Sequence, residues 1–259
     1  APLVEAHGEL RFVVLDLGGG TLDIACGRFR PATPEEESEH GASTVIETLQ
    51  VNGDDQQGGE IWTHELVWLA HQHPRHLPEM EEKEVPMMRP PTVPAHHLAK
   101  KPQLYKRSLA ARQNKVRFER ELELEQVKFG PGHAPRPVAS LSASRLDGTT
   151  ATLGSYSDVS ELGPALREHL EARLREAAKL LSSTLASAPW PASPSGEKGG
   201  VVGRDVVLLL AGNSSRSEYV SQIVAEELGL VSGGARLVPF RPEEGGDGAW
   251  NGVVCWDTK

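Results

Sequence analysis

The stretch Asp16-Leu17-Gly18-Gly19-Gly20-Thr21-Leu22-Asp23 decides the fold, because it places three consecutive glycines between two apolar segments. Before it, residues 11–16 form a short apolar run that is typical of a buried strand. After it, residues 21–29 alternate between apolar and polar side chains, which is typical of a second strand. Glycine adopts backbone conformations that other residues avoid, so the chain can reverse abruptly between the two. The sequence therefore predicts a strand, a tight turn and an antiparallel strand.

The same stretch carries the residue types of a phosphate-binding loop. Because Gly18, Gly19 and Gly20 have no Cβ atoms, successive backbone N–H groups can point at one anion. Asp16 ends a buried strand and could hold a Mg²⁺ ion through water molecules, while the Thr21 hydroxyl could contact a terminal phosphate. The alternative is an ordinary glycine-rich β-turn in which Asp16 and Thr21 only form the turn. A glycine motif this short does not decide between the two.

The segments around this stretch extend the pattern to a three-strand meander. Residues 43–51 alternate again and stop at Asn52-Gly53, after a polar, acidic connection over 31–41. Gly59 then precedes a helical stretch in which apolar side chains share one face, and Pro74 ends it.

The middle of the chain predicts an insertion, a long helix and a hairpin. Residues 74–102 contain seven prolines, a density that excludes a regular helix, so we interpret them as a loop. Residues 104–128 alternate in charge around a few apolar side chains, which predicts a long helix in contact with solvent. Asp147-Gly148 separates the alternating runs 138–146 and 149–153, and this pair commonly supplies the two positive φ angles of a tight hairpin turn.

The C-terminal third predicts a helix, a linker and an α/β unit. Leucines at helical spacing mark a helix over 162–185, and the following stretch is rich in Ala, Pro, Ser and Gly. Residues 206–210 are an uninterrupted apolar run, which is typical of a strand buried on both faces. Ser215 and Glu218 have the spacing of a capping box that opens a helix, which Gly229 would close.

A second candidate binding motif, Gly212-Asn213-Ser214-Ser215-Arg216, lies between this strand and this helix. Ligands of open α/β sheets collect at the carboxyl ends of strands, and a helix N-terminus offers unpaired N–H groups. The Arg216 guanidinium could stack on a purine ring. The alternative is an ordinary turn with a solvated arginine.

Composition and charge exclude several classes of protein. The chain has 259 residues, enough for one large or two small domains, and 38% of them are hydrophobic. Lys and Arg total 27 against 36 Asp and Glu, and the formal net charge of −9 disfavours binding to nucleic acid. No apolar run has the length of a membrane helix, and the only cysteines, Cys26 and Cys255, disfavour a disulfide framework or a zinc ribbon. We therefore expect a cytoplasmic protein that binds neither nucleic acid nor membranes.

Further motifs follow in a fixed order. Gly58-Gly59-Glu60 comes after the meander, Glu125-Gln126-Val127-Lys128 closes the charged segment, and Asp247-Gly248-Ala249-Trp250-Asn251-Gly252 lies near the end. Together with the stretches 16–23 and 212–216, this series resembles the actin-like ATPases. Among them, it resembles the nucleotide-binding domain of the seventy-kilodalton heat-shock chaperones, in which the last motif is a closing helix.

The resemblance implies a site for ATP or ADP and Mg²⁺. Residues 16–23 look like the family's second phosphate loop, so Gly18, Gly19 and Gly20 would bind phosphates, and Asp16 and Thr21 would have the catalytic roles. Asp16 would hold Mg²⁺ through water. The remaining nucleotide contacts would come from Gly59, Glu125, Lys128, Gly212, Asn213, Ser215 and Arg216. The chain departs from the family at Asn213, where a glycine is usual, and at Phe129, where an arginine is usual.

The resemblance also implies the fold and the domain organisation. We expect an α/β fold, an actin-like (ribonuclease-H-like) lobe with a mixed sheet flanked by helices. Residues 1–76 and 154–259 would form the core of this second lobe, with a flexible linker over 186–204. Residues 77–153 would form a smaller inserted α+β subdomain. Its partners would be a missing first lobe of the ATPase and nucleotide-exchange or client proteins. The parent protein would be a slow ATPase, and this chain alone would be inactive.

Several alternatives remain beside this interpretation. The lobe could be degenerate and act as a protein-binding module without ATP turnover; Asn213 and Phe129 favour that possibility, and the intact glycine loop disfavours it. A sugar or acetate kinase of the same superfamily is disfavoured by the chaperone-like Glu-x-x-Lys and Ser-Ser-Arg motifs.

Single residues also allow other interpretations. Four histidines, His64, His71, His73 and His76, could bind zinc, although they lack the His-Glu-x-x-His spacing. Ser214 or Ser215 as a hydrolase nucleophile lacks the Gly-x-Ser-x-Gly elbow. Trp190 could anchor a partner.

Overall fold

The computed structural model describes residues 9–89, 102–130, 132–191, 206–228 and 250–255, with the backbone alone for 102–105 and 250–255. The chain divides into two compact units. The first takes its described residues from 1–58, 174–216 and 220–259, and the second takes them from 59–173 and 217–219.

The chain contains both helices and strands, so it is of the mixed α/β class. In chain order the elements are β1 (Leu10–Leu17), β2 (Leu22–Pro31), α1 (Pro34–His40), β3 (Thr44–Asp54), α2 (Gly59–Gln72), α3 (Leu77–Glu82), α4 (Pro102–Glu121), α5 (Leu124–Val127), β4 (Leu141–Ser144), β5 (Thr150–Leu153), α6 (Leu162–Ser187), β6 (Val206–Ala211), α7 (Glu218–Glu227) and β7 (Trp250–Cys255). Among the described residues, no helix combines the length and the apolar character needed to cross a bilayer.

The first unit is built on a five-stranded mixed sheet with the strand order β3-β2-β1-β6-β7. Strands β1, β2 and β3 are antiparallel neighbours, which confirms the predicted meander. Strand β6 runs parallel to β1, and β7 pairs with β6 in the antiparallel direction. Residues 250–252 therefore lie in a strand, and the closing helix expected over 247–252 is wrong for the described part of that motif.

One face of this sheet is covered by α6. Ile24 and Asn52 are cross-strand partners and share that face, on which Ile24 is buried. The Asn52 amide donates to Thr184 Oγ1 of α6 at 2.9 Å, and the Gln50 amide donates to Ser187 Oγ at 2.9 Å. Helix α6 confirms the helix that the leucine spacing predicted over residues 162–185.

Strand β6 corrects a prediction about burial. Its uninterrupted apolar run predicted a strand buried on both faces, but Val206, Leu208 and Leu210 are buried whereas Val207 and Leu209 are half-buried. The two sets alternate because successive side chains of a strand point to opposite faces.

The beginning of the predicted linker is attached to the first unit. The Trp190 indole N–H donates to Leu185 O at 3.1 Å, and the Arg11 guanidinium lies 5.9 Å from the centre of the Trp190 ring. Arg11 also donates to Pro191 O at 3.0 Å. Trp190 is therefore half-buried against its own chain, and residues 192–204 of the predicted linker lie outside the described residues.

The second unit has a core of its own, made by helices that pack on a two-stranded hairpin. The core spans α2, α3, α4, α5, β4, β5 and the start of α6, and its largest fully buried side chains include Leu66, Met80, Phe118, Leu122, Leu124, Leu141 and Tyr156. Because α2 and the start of α6 contribute to this core, the unit begins at Gly59 and extends to Arg173, beyond the expected insertion over 77–153.

The hairpin β4–β5 confirms the prediction made from Asp147-Gly148. Gly148 has a φ of 89°, whereas Asp147 is not among the described residues with positive φ, so the expectation of two positive φ angles is wrong. Instead, the Asp147 carboxylate accepts hydrogen bonds from the Thr149 N–H and hydroxyl at 2.8 and 2.7 Å. This Asx-type contact stabilises the turn without a second left-handed residue.

The long helix predicted over 104–128 is broken in two. Helix α4 ends at Glu121 and α5 begins at Leu124, because Glu123 takes a left-handed conformation with a φ of 53°. The break lets Leu122 and Leu124 both be buried, although they are only two residues apart. A continuous helix would place two such residues on different faces.

The proline-rich segment also contains a helix that the proline count excluded. Residues 77–82 form α3, and Pro78 lies in its first turn, where no intrahelical N–H bond is lost. Residues 90–101 lie outside the described part of the chain.

The capping box predicted from Ser215 and Glu218 does not form. The Ser215 hydroxyl donates to Gly212 O at 2.7 Å within a short 3₁₀ turn, Asn213–Arg216, and α7 begins only at Glu218. The Glu218 N–H donates to Phe129 O at 3.1 Å. A backbone carbonyl therefore takes the donor that the serine was expected to cap, and the predicted closing residue Gly229 lies outside the described residues.

Candidate functional site

The glycine loop closes the β1–β2 hairpin. The last ladder pair is Leu17 with Leu22, and the Gly18 N–H donates to Thr21 O at 3.0 Å. The prediction of a tight turn between antiparallel strands is confirmed. Gly19, Gly20 and Thr21 are exposed, so the backbone of the loop is open to solvent and to a ligand.

Two aspartates are cross-strand partners at the base of the loop. Asp16, which is half-buried near the end of β1, is the cross-strand partner of the exposed Asp23 in β2. The Thr21 hydroxyl donates to Asp23 Oδ2 at 2.8 Å. Like charges placed directly opposite one another destabilise a sheet, and a cation nearby would offset that repulsion.

The donor set suits a hard cation that keeps most of its water. Carboxylate oxygens are the ligands that Mg²⁺ prefers, and this ion is usually held by one or two carboxylates together with water and substrate phosphates. Within the described ranges, no cluster of three or more His, Cys, Asp or Glu side chains is arranged to hold a metal ion. The histidines proposed above as zinc ligands are therefore not brought together in that way.

Gly212 brings the second motif against Asp16. It follows β6, whose Ala211 pairs with Asp16, and its φ is 81°. A Cβ atom on Gly212 would lie 2.3 Å from Leu17 O and 2.5 Å from Asp16 Oδ1. Both the conformation and the close approach therefore require glycine at this position.

Gly58 brings a third motif against the glycine loop. A Cβ atom on Gly58 would lie 2.3 Å from Gly19 O and 2.2 to 2.5 Å from the backbone of Gly20. The first unit thus assembles three separate stretches of sequence, around Asp16–Thr21, Gly58 and Gly212, through backbone contacts that only glycine permits.

The rest of the 212–216 motif has both exposed and buried residues. Asn213 and Arg216 are exposed, so their side chains are accessible to a ligand. Ser215 is buried, and its N–H and hydroxyl both donate to Gly212 O, at 3.3 and 2.7 Å. The serine therefore fixes the turn after β6.

Gly59, Glu125 and Lys128 belong to the second unit. Lys128 is buried and its Nζ donates to Gly59 O at 3.0 Å, while the Glu125 carboxylate is 4.0 Å away and half exposed. Burial lowers the pKa of the Lys128 ammonium below its ordinary value. The same carbonyl accepts from Thr63 Oγ1 at 2.9 Å, so Lys128 and Thr63 together hold the first residue of α2.

The structure therefore groups the predicted site residues in two sets. Asp16, Thr21 and Gly212 and their neighbours meet within the first unit, whereas Gly59, Glu125 and Lys128 meet within the second. Comparisons with protein-family models and with curated proteins find no match to this chain.

Two features of the site were missed by sequence reasoning. Asp23 was included in the stretch that resembles the phosphate loop but was given no role, yet it pairs with Asp16 and accepts a hydrogen bond from Thr21. The available signal was its position two residues after Thr21, since such residues share one face of a strand. The contact between Phe129 O and the start of α7 joins residues almost ninety positions apart, and no local pattern indicates it.

Proposed function

We propose that the chain is an ATP-binding lobe of a heat-shock-chaperone-like ATPase of the actin-like superfamily. The observation that supports this best is the convergence of Asp16–Thr21, Gly58 and Gly212 within one unit. Gly58 and Gly212 pack against the loop, whose exposed Gly19 and Gly20 lie beside two aspartates. Backbone N–H groups and carboxylates together suit a nucleotide phosphate with its magnesium ion.

In this proposal the exposed loop binds the phosphates. The N–H groups of Gly19 and Gly20 would be donors, and the Thr21 hydroxyl would exchange its bond to Asp23 Oδ2 for a bond to a phosphate oxygen. Asp16 would hold Mg²⁺ through water molecules, with Asp23 as the second carboxylate. Phosphoryl transfer depends mainly on positioning and on neutralising charge, so such residues contribute by electrostatic stabilisation. Mg²⁺, when bound, would neutralise charge on the phosphate oxygens.

The adenosine would be contacted by side chains of the 212–216 and 125–128 motifs. Arg216 and Asn213 are exposed and free to meet a base, and Glu125 is half exposed. Lys128 would have to exchange its bond to Gly59 O for a bond to the nucleotide. The first lobe would complete the site, and nucleotide-exchange or client proteins would be further partners in the cytoplasm.

The rival proposal is a degenerate lobe that binds a protein partner without turning over ATP. The buried positions of Lys128 and Ser215 favour it, because both side chains are engaged inside the protein. The exposed glycine loop favours nucleotide binding. The two proposals differ in one measurable property, the affinity for Mg-nucleotide.

Titration calorimetry with Mg-ADP and Mg-ATP tests the proposal. We expect weak binding that depends on Mg²⁺, and Asp16→Ala should weaken it about tenfold or more, since one charge-assisted contact contributes about 1.5–3 kcal/mol. Asp55→Ala is the matched control, because Asp55 is an exposed carboxylate of the same unit outside the loop. Equal affinity of the Asp16→Ala and wild-type chains would contradict the site, and no binding by the wild type would favour the rival.

A further inference from the structure

A histidine whose imidazole has no hydrogen-bond partner among the described residues is buried in the second unit. His76 is 0% exposed, and its ring stacks on Tyr156 with centroids 4.2 Å apart and planes 8° apart. Neither ring nitrogen of His76 has a partner among the described residues, nor does the Tyr156 hydroxyl. A protonated imidazole has two N–H donors, so protonation in place would leave a buried charge with both donors unpaired.

The charged groups around His76 do not compensate that charge. His73 and Arg75 are its basic neighbours, and Glu79 and Asp158 are its acidic neighbours. Asp158 already accepts from the Arg75 guanidinium at 2.8 Å and from Ser160. Burial, and then the charges of His73 and Arg75, lower the pKa of His76 from 6.5 to about 4.

The second carboxylate, Glu79, attaches the segment that carries the histidine to the rest of the unit. We name residues 73–85, which include α3, the strap. The Glu79 carboxylate accepts from the Gly154 N–H at 2.9 Å and the Ser155 N–H at 2.8 Å, at the end of the hairpin β4–β5. Lys83 Nζ donates to Glu79 at 2.7 Å and to Thr152 O at 2.6 Å.

This attachment stays charged in mild acid. Burial raises the pKa of Glu79, but the hydrogen bonds from Lys83, Gly154 and Ser155 outweigh it and lower the pKa to about 2. Between pH 7.5 and 5 the Glu79 contacts are therefore constant. His76 is the fully buried imidazole of the strap, and it packs on Tyr156 next to the hairpin.

We propose that the strap is an acid-sensitive lid on the second unit, which lifts from the hairpin β4–β5 when His76 takes up a proton. The buried ring resists protonation, whereas the ring exposed by lifting accepts a proton with its ordinary affinity. Proton uptake therefore favours the lifted state. Since the pKa is lower in the closed state, the closed state loses stability as pH falls below 6.5, and the loss levels off near pH 4.

Hydrogen exchange of the full chain, followed by mass spectrometry and corrected for the intrinsic effect of pH, tests the proposal. From pH 7.5 to pH 5 the protection of peptides from the strap should fall about 30-fold, as linkage between pKa values of 6.5 and 4 predicts. Peptides from β1 should change much less, because they belong to the other unit. An equal fall in both would show global unfolding and overturn the proposal.

Two substitutions give the matched comparison. His76→Phe keeps a stacked ring that cannot be protonated and should remove the pH dependence of the strap, whereas His133→Gln, at an exposed position of the same unit, should leave it unchanged. A strap that remains equally pH-dependent in His76→Phe overturns the proposal. If that variant does not fold, NMR titration of His76 in the wild type decides. An apparent midpoint well below 6.5 with broadening of the strap resonances is expected, and a midpoint near 6.5 without broadening overturns it.

Discussion

At the scale of single residues, Gly212 supports the candidate site most directly, and Gly212→Ala tests this. The substitution adds the cost of a left-handed conformation, about 1–2 kcal/mol, to that of a Cβ atom inside the contact distance of Leu17 O and Asp16 Oδ1. We expect the free energy of unfolding to fall by about 3 kcal/mol or more, measured by urea denaturation. Mg-nucleotide affinity should fall as well, because the added Cβ atom would displace Asp16 Oδ1, which belongs to the carboxylate proposed to hold Mg²⁺.

Gly41→Ala is the control for this substitution. Gly41 lies in the same unit with a similar φ of 67°, but a Cβ atom there would meet nothing within 4 Å. The free energy of unfolding of Gly41→Ala should therefore fall only by the cost of the left-handed conformation, about 1 kcal/mol. Equal losses at Gly41 and Gly212 would mean that the close approach to Asp16 does not contribute.

At the scale of elements, the break between α4 and α5 depends on one strained residue. Glu123 is a non-glycine residue in the left-handed region of backbone conformation. Its ion pair with Arg136 is largely exposed, so the pair contributes less than about 1 kcal/mol to the free energy of unfolding. Glu123→Gly should therefore leave the free energy of unfolding unchanged or raise it by about 0.5–1 kcal/mol, measured by thermal or urea denaturation.

Glu119→Gly, four residues earlier in α4, provides the opposite case. Glycine in a helix interior costs about 1 kcal/mol, and the ion pair with Lys115 is lost as well. The free energies of unfolding of the two variants should therefore differ by at least about 1 kcal/mol, with Glu123→Gly the more stable. A loss at Glu123 as large as that at Glu119 would show that α4 and α5 behave as one continuous helix in solution.

At the scale of the whole molecule, we expect residues 1–259 to bind ATP without turning it over. Gly19, Gly20 and Thr21 are exposed to solvent, and in water each electrostatic contact is severalfold weaker than in a closed site. At the proposed site, preorganised stabilisation of the transferring phosphoryl group would therefore be incomplete. Steady-state phosphate release should equal the background rate, and ATPase activity that is insensitive to Asp16→Ala would show that the proposed site is not the source of turnover.

Much of this architecture could be predicted from local sequence. The meander around Gly18–Gly20, the hairpin at Gly148 and helix α6 follow from alternation, turn residues and leucine spacing, which are properties of neighbouring residues. The helix break at Glu123 could not be predicted, because the need to bury Leu122 and Leu124 together comes from packing. Helix α3 could not be predicted either, because a proline stops a helix in its interior but is tolerated in the first turn, where Pro78 lies.

The sequence by itself determined that a glycine turn with Asp16 and Thr21 joins two antiparallel strands, because strand periodicity and glycine conformation are local. Only the tertiary structure decided that Gly58 and Gly212 press against this turn, that Lys128 donates to Gly59 O and that Ser215 donates to Gly212 O. The reason is physical. Contacts between distant residues depend on which faces are buried together, and a buried donor takes the nearest acceptor that the fold provides, whichever partner its motif suggests.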